Sequence, residues 1–190
     1  MTVQLPDNLK NLTLNDIDSK IRSSVYLQDY EEDPVIEGVK IEQLTTNIGE
    51  EGDFGEVMRF NDSGETEKFP GFKLAQFNRT KINGGTIKAW HLHLKQDEIW
   101  YITPSDVIFV GLWDTRLATK TKGSTMRIIL GGTKRLLFIP RGVAHGSANF
   151  STNPVHIFYL TNSQFTKKNP DELRIPWDTL GSEFWTPKRD

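Results

Sequence analysis

Turn-forming residues interrupt the sequence at short, fairly regular intervals from Pro34 onward, and this spacing restricts the possible folds more than any other feature. The stretches between the turns are rich in Ile, Val, Phe, Trp and Tyr, which fit the half-buried surface of a pleated sheet. Strands that recur every roughly 8–12 residues are typical of a β-sandwich or β-barrel. We expect strands within the following stretches: Val57–Phe60, Phe72–Phe77, Thr86–Leu94, Ile99–Ile102, Val107–Leu112, Met126–Leu130, Leu136–Ile139 and His156–Leu160.

The two ends of the chain differ from this strand-rich middle. Thr13 or Asn15 is expected to cap a short N-terminal helix that ends near Arg22, because apolar residues follow the cap at helical spacing. Lys167-Lys168-Asn169-Pro170 opens a turn-rich tail that runs to Asp190. The predicted organisation is an N-terminal extension with a short helix, an all-β barrel, and a C-terminal tail that packs on the barrel, over residues 1–38, 39–165 and 166–190.

The composition excludes several classes of protein. The 190 residues carry a formal net charge of −2 and a pI near 6.1, so no basic field is available for nucleic acid or for an anionic membrane surface. Cysteine is absent, which excludes disulfides and thiolate metal ligands. The sequence shows neither a signal peptide nor a run of about 18 apolar residues. We therefore expect a cytoplasmic protein that acts on a small molecule.

Three of the four histidines fall into two short motifs, Gly85-x5-His91-x-His93-x4-Glu98 and Pro140-x-Gly142-x2-His145-x3-Asn149. Positions i and i+2 of a strand project from the same face, so His91 and His93 are expected to reach one point inside the barrel. A short polar turn returns the Glu98 carboxylate toward that point, and the Pro-x-Gly turn delivers His145 from another strand. Three imidazoles and one carboxylate suit a divalent Zn, Fe, Mn, Ni or Cu ion.

The sequence also predicts where the residues around these motifs lie in the fold. Strict alternation along Ile87–His93 places Lys88 and Trp90 on the face opposite to the two histidines. Trp100 shares parity with Glu98 and is expected in the pocket, while at least two of the three tryptophans between residues 90 and 113 are expected in the core. His156, the fourth histidine, is expected to satisfy a local hydrogen bond. Asn149 is expected to hold a turn or a strand end.

The two histidine motifs are the signature of the cupin superfamily, and other patches resemble its dTDP-4-dehydrorhamnose 3,5-epimerase branch. Gln76-x-Asn78 precedes Ile87–His91 as a Q-x-N pattern precedes L-R-G-L-H in that family. Phe138–Gly146 is close to its W-I-P-x-G-F-A-H-G pattern, and Tyr159 followed by Glu172–Asp178 resembles its tail. The resemblance covers roughly residues 40–190. It implies a double-stranded β-helix, or jelly roll, that forms a homodimer.

The resemblance also implies roles for individual residues. In that family the histidine matching His91 removes a proton next to a sugar ketone, an aspartate near the C-terminus orients it, and no metal is needed. Asp190 is the match for that aspartate. Five other positions depart from the family's pattern. Glu98 replaces the lysine that steadies the enolate, His93 replaces a glutamine, and Phe165 or a neighbour replaces the proton-donating tyrosine. Glu51 replaces the arginine that holds the nucleotide phosphate, and Lys88 replaces another pocket arginine.

These departures predict a metal-binding epimerase or isomerase of a keto-sugar or nucleotide sugar, in which a divalent metal ion stabilises the enolate. A metal-bound His91 cannot also be the base, which leaves Tyr159, Glu172 or a metal-bound hydroxide. The candidate substrate-binding residues are Gln76, Asn78, Lys88 and Trp100. Two alternatives stay open at this point, a metal-dependent oxygenase and a non-catalytic sugar-binding cupin.

Overall fold

A computed structural model describes residues 12–27, 35–132 and 135–187. Among these residues no helix is long and apolar enough to cross a lipid bilayer. The chain divides into two compact units, Met1–Asp33 and Pro34–Asp190. The first unit contains a 3₁₀ turn, Leu14–Asp16, capped by Thr13, and a short helix α1, Ser19–Arg22, capped by Asp18. The predicted N-terminal helix is therefore present in a shorter form.

The second unit contains twelve strands within its described residues, followed by a 3₁₀ turn. The strands are β1 (Lys40–Gln43), β2 (Asn47–Gly49), β3 (Gly52–Phe54), β4 (Gln76–Ile82), β5 (Ile87–Leu92), β6 (Glu98–Tyr101), β7 (Val107–Asp114), β8 (Thr125–Gly131), β9 (Arg135–Ile139), β10 (Val143–Ala148), β11 (Val155–Thr161) and β12 (Leu173–Arg174), and the 3₁₀ turn is Ser182–Trp185.

Ten of the strands form two five-stranded sheets, in which every paired neighbour is antiparallel. The strand order is β1-β9-β6-β11-β4 in the first sheet and β12-β5-β10-β7-β8 in the second, and β2 and β3 form a separate hairpin. The predicted all-β jelly roll is confirmed. Two of the predicted strands are wrong in whole or in part, because Val57–Phe60 is not a strand and Phe72–Phe77 contains only the start of β4.

Alternation along the strands of the first sheet separates its two faces. On β6, Trp100 points into the core between the sheets, whereas Ile99 and Tyr101 belong to a second apolar cluster on the outer face. Val57 and Phe60 pack against that outer cluster. The segment between β3 and β4 thus covers the outside of the sheet instead of extending it.

The C-terminal tail covers the outer face of the second sheet. Trp90 and Phe109 pack there against Phe184 and Trp185, and the ring centroids of Trp90 and Trp185 lie 4.6 Å apart. Strand β12 pairs with β5 at the edge of the same sheet, with Arg174 opposite His91. The tail is therefore part of the wall that carries the first histidine motif.

One irregularity in β5 decides which side chains enter the barrel. The register with β10 shifts between Lys88 and His91, so that Ala89 and Trp90 both lie opposite Gly146. Both of these side chains pack under the tail, and Lys88 lines the interior together with His91. A Cβ atom on Gly146 would collide with Ala89, which explains the glycine at this bulge. The predicted strict alternation is therefore wrong at Lys88.

Candidate active site inside the barrel

A cavity of about 320 Å³ opens between the two sheets, in the size range of small-molecule sites. It continues the apolar core, since Trp100 and Ile157 line the cavity and also belong to that core. All ten residues predicted from the sequence line this cavity: Gln76, Asn78, Lys88, His91, His93, Glu98, Trp100, His145, Tyr159 and Glu172.

Three of these residues form a buried cluster at the inner end of the cavity. His93, Glu98 and His145 are each 4% exposed or less. The Nε2 atoms of His93 and His145 lie 3.1 and 3.5 Å from the two carboxylate oxygens of Glu98. One possible ligand atom from each of the three residues lies within 4.8 Å of the other two. We call His93, Glu98 and His145 the inner triad.

Backbone carbonyls fix the tautomers of both histidines in the inner triad. The Nδ1–H of His93 donates to the carbonyl oxygen of Asp171, and the Nδ1–H of His145 donates to that of Val143 at 3.1 Å. A carbonyl oxygen can only accept, so each Nδ1 carries hydrogen and each Nε2 points at Glu98. Such second partners on the distal ring nitrogen are typical of histidines that bind metal ions.

The carboxylate of the inner triad stays ionised despite its burial. Burial alone would raise the pKa of Glu98, but His145, His93 and the indole N–H of Trp100, which donates to Glu98 Oε2 at 2.5 Å, lower this pKa to about 2. Burial likewise opposes charge on His93, yet the hydrogen bond and the charge of Glu98 raise its pKa. A buried carboxylate of this kind needs a positive partner, either a proton on an imidazole or a cation.

The fourth predicted metal ligand, His91, lies outside this triad. Its Nδ1–H donates to Glu172 Oε1 at 2.9 Å, and its Nε2 accepts a hydrogen bond from Arg174 Nη1 at 2.6 Å. Its ring stacks on that of His145 with centroids 5.8 Å apart. Burial, aided by the charges of His145, Arg174 and Lys88, lowers the pKa of His91 to about 3. His91 is thus a neutral imidazole whose lone pair is on Nε2.

A short segment of the tail, Asp171–Arg174, holds this outer half of the site in position. The carboxylate of Asp171 accepts backbone N–H groups from three consecutive residues of the β5–β6 turn, Leu94, Lys95 and Gln96, at 2.7 to 2.9 Å. These bonds keep the pKa of Asp171 low although burial opposes the charge. Because Asp171 precedes Glu172 directly, the same anchor brings the Glu172 carboxylate to His91.

Three residues of the site, Gln96, Asp171 and Arg174, are not among those predicted from the sequence. Gln96 donates through Nε2 to Glu98 at 2.8 Å and accepts from Ser163 at 2.9 Å, which ties the inner triad to the end of β11. A signal for Arg174 was available, because Glu172 and Arg174 are alternate residues of an extended segment and share a face. No local pattern distinguishes Gln96 or Asp171 from an ordinary turn residue.

The remaining predicted residues line the walls of the cavity. Gln76 donates to Asn78 Oδ1 at 2.6 Å, and these residues lie on β4, across the cavity from the histidines. Lys88 donates to Thr80 Oγ1 at 2.9 Å. Tyr159 lies on β11 in the first sheet, and burial, with Glu98 and Glu172, raises its pKa. The N–H of Trp100 is used by Glu98, so only its ring is available to a ligand.

The structure bears differently on the predictions for residues other than the ten predicted site residues. Asn149 holds the turn after β10 as predicted, since its amide donates to the carbonyls of Ile82 and Asn153. The side chain of His156 forms no hydrogen bond with the described part of the chain, so its predicted local hydrogen bond stays a prediction. Phe165 lines the cavity and Glu51 does not. Asp190, the predicted orienting aspartate, lies outside the described residues.

A comparison with known families assigns the fold and the enzyme class. The sequence profile of the dTDP-4-dehydrorhamnose 3,5-epimerase family matches residues 34–188. The chain belongs to this family. The predicted resemblance is thereby confirmed, and so is the predicted class of enzyme, a sugar epimerase.

Relatives with known names agree with this assignment. The chain is 38% identical to the spore coat polysaccharide biosynthesis protein SpsL of Bacillus subtilis, across 82% of this chain and 100% of the relative. It is 28% identical to the probable low-salt glycan biosynthesis epimerase Agl13 of Haloferax volcanii, across 76% of this chain and 90% of the relative. The crystal structure of the Legionella pneumophila dTDP-6-deoxy-D-glucose-3,5-epimerase in complex with dTDP-4-keto-L-rhamnose shares the fold, with 24% identity, a TM-score of 0.64 and coverage of 77% of each chain.

Proposed function

We propose that this protein epimerises a 4-keto sugar carried by dTDP, with His91 as the base. The observation that carries the proposal is the state of this imidazole. Its Nδ1–H is held by Glu172, and its Nε2 lone pair lies on the wall of the cavity. A neutral imidazole in that orientation takes the proton from the carbon next to the ketone, and the electron pair of the broken C–H bond moves onto the ketone oxygen. Glu172 stabilises the imidazolium that forms.

Return of the proton on the other face of the sugar ring requires an acid across the cavity. We assign this role to Tyr159, because β11 belongs to the first sheet and β5 to the second. Its raised pKa keeps the phenol protonated near neutral pH. The phenol O–H of Tyr159 gives its proton to the same carbon, and the electron pair returns from the enolate oxygen to form the new C–H bond and restore the ketone. Base and acid on opposite walls suit an inversion of configuration.

We further propose that the inner triad binds a divalent metal ion. Its donor set fits such an ion, because two imidazoles with fixed Nδ1–H groups direct Nε2 toward one ionised carboxylate, and a cation there would take the place of the proton that Glu98 favours on His93. A bound ion supplies a Lewis acid for the ketone oxygen, in place of the lysine that Glu98 replaces. His91 is not needed as a ligand in this arrangement. The conflict between its roles as ligand and base therefore disappears.

The substrate-binding residues follow from the walls of the cavity. We propose that Gln76 and Asn78 hydrogen-bond the sugar and that the ring of Trp100 bounds its apolar side. Lys88 carries a positive charge on the same wall as His91 and is assigned to the diphosphate. The family's phosphate-binding arginine is replaced by Glu51, so Lys88 is given a larger share of that contact.

We also propose that the protein is a homodimer. Two large apolar side chains of the β2–β3 hairpin support this assignment, since Ile48 is 83% and Phe54 71% exposed. Light scattering on a size-exclusion column tests it, and the expected mass is twice the 21.7 kDa of one chain. A mass of one chain at micromolar concentration contradicts the dimer.

Solvent-deuterium exchange tests the epimerase directly. Incubation in D₂O with dTDP-4-keto-6-deoxyglucose should place deuterium on a carbon next to the ketone, whereas UDP-4-keto sugars should exchange more slowly. Binding of the substrate without exchange would instead support the non-catalytic alternative. Uptake of oxygen in the same reaction would support the oxygenase. Elemental analysis of protein purified without an affinity tag tests whether the inner triad binds a divalent metal ion.

A further inference from the structure

The proton-accepting atom of His91 is occupied by another side chain of the same protein. Arg174 Nη1 donates to His91 Nε2 at 2.6 Å, and Nη2 of the same guanidinium lies 3.0 Å from Glu172 Oε1. A guanidinium has only donors, so it uses the imidazole lone pair that a substrate proton would need. A sugar C–H bond cannot approach His91 Nε2 while this contact persists.

The position of Arg174 allows this contact to open. Strand β12 places Arg174 directly opposite His91 across the edge of the second sheet. The Arg174 side chain is 53% exposed, whereas that of His91 is 15% exposed. The guanidinium therefore covers His91 from the solvent side of the cavity. A long, half-exposed side chain can exchange one partner for another without movement of the backbone.

The charges at the mouth of the cavity identify the class of partner that would draw Arg174 away. Arg174 and Lys88 are the only Arg or Lys side chains among the described residues that line the cavity. Lys88 forms a hydrogen bond with the hydroxyl of Thr80 and no ion pair with a described carboxylate. Its pKa is lowered by burial and then by the charge of Arg174, so the two cations act on one another. An anion between them would relieve this repulsion.

We infer that Arg174 is a latch on the base: it holds His91 Nε2 in the free enzyme, and an anionic oxygen of the substrate, from a phosphate or a carboxylate, draws it away and exposes the lone pair. Arg174 is thus a specificity-determining residue, because a sugar without an anionic group leaves the base covered. The part of this inference that concerns turnover rests on the proposed epimerase function.

The first test detects the contact between Arg174 and His91 without turnover, through the ¹⁵N signals of the His91 ring in the protein as purified. In the wild type, inorganic pyrophosphate should move the Nε2 signal toward that of a free lone pair. In Arg174→Gln the signal should be at that position before any addition and should not respond. Lys81→Ala, which removes one positive charge from the outer face of β4, should behave as the wild type. A parallel titration uses glucuronate instead of pyrophosphate. The anion that moves the Nε2 signal shows whether a phosphate or a carboxylate draws Arg174 away from His91. A wild-type signal that responds to neither anion overturns the inference.

The second test compares two substrates by deuterium exchange, dTDP-4-keto-6-deoxyglucose and the same 4-keto sugar without its nucleotide. Arg174→Gln should raise KM for the nucleotide sugar about tenfold to a hundredfold, the loss expected for one charge-assisted contact. The same variant should exchange the nucleotide-free sugar faster than the wild type. Arg174→Lys should recover part of the KM. Equal losses on both substrates overturn the latch, and absence of exchange in the wild type overturns the proposed function while the ¹⁵N experiment still decides the latch.

Discussion

The two halves of the cavity are built in different ways. The inner triad comes from the barrel itself, with His93 and Glu98 on either side of the β5–β6 turn and His145 on β10, and it is almost completely buried. The outer half combines His91 with Glu172 and Arg174, which belong to the tail. Its side chains are 15% to 53% exposed.

This difference separates the two tasks of an enolate reaction. Buried groups with fixed partners reorganise little, which favours a site that stabilises charge on the ketone oxygen. Groups at the mouth can exchange partners with an incoming ligand, which favours the proton transfer. Glu98, which by resemblance stands where related epimerases have a lysine, belongs to the inner triad in this chain.

Replacement of His91 should give the largest loss of activity and separates the two halves most clearly. His91→Asn should lower kcat for deuterium exchange about 1,000-fold, because removal of a general base typically costs between about 100-fold and 10,000-fold. The metal content of the purified variant should equal that of the wild type, because His91 is not in the inner triad. Elemental analysis alongside the exchange assay checks both statements. A loss of metal in this variant would return His91 to the ligand set.

Replacement of His93 should have the opposite pattern. His93→Ala should reduce the bound metal at least tenfold while the fold remains intact, because one of the three proposed ligands is removed from a buried site. Circular dichroism and elemental analysis of protein prepared without added metal measure the two quantities. His156→Ala is the matched control, since this histidine lies on β11 and forms no side-chain hydrogen bond with the described residues. Unchanged occupancy in His93→Ala would count against the metal site.

The sequence predicts the inner half of the site better than the outer half, for physical reasons. Residues of the inner triad follow from strand periodicity and from one tight turn, which are local properties of the chain. The inward position of Lys88 depends on a bulge that forms only against β10, and no local pattern reveals it. The contacts of Arg174 with His91 join residues 83 positions apart. Periodicity identifies the shared face of Glu172 and Arg174 but not the strand that they meet.

The anchor of the tail gives the smallest expected effect and tests whether the outer half depends on it. Asp171→Ala removes the acceptor of three backbone N–H groups and should cost about 1–2 kcal/mol of unfolding free energy, a value reduced for partial exposure.

The effect of this substitution on stability should depend on pH, because the pKa of Asp171 is lowered in the folded protein. A carboxyl group of this kind stabilises the fold above its unfolded pKa of about 3.9 and loses that contribution as the pH falls below it. Urea unfolding at pH 7 should therefore give a lower free energy of unfolding for Asp171→Ala than for the wild type, and this difference should narrow toward pH 3.

The same substitution should lower kcat about tenfold at pH 7, since a displaced Glu172 no longer orients His91, while the metal content stays unchanged. A loss of bound metal by about tenfold in this variant would mean that the tail supports both halves of the cavity, through the hydrogen bond between His93 Nδ1 and the Asp171 carbonyl.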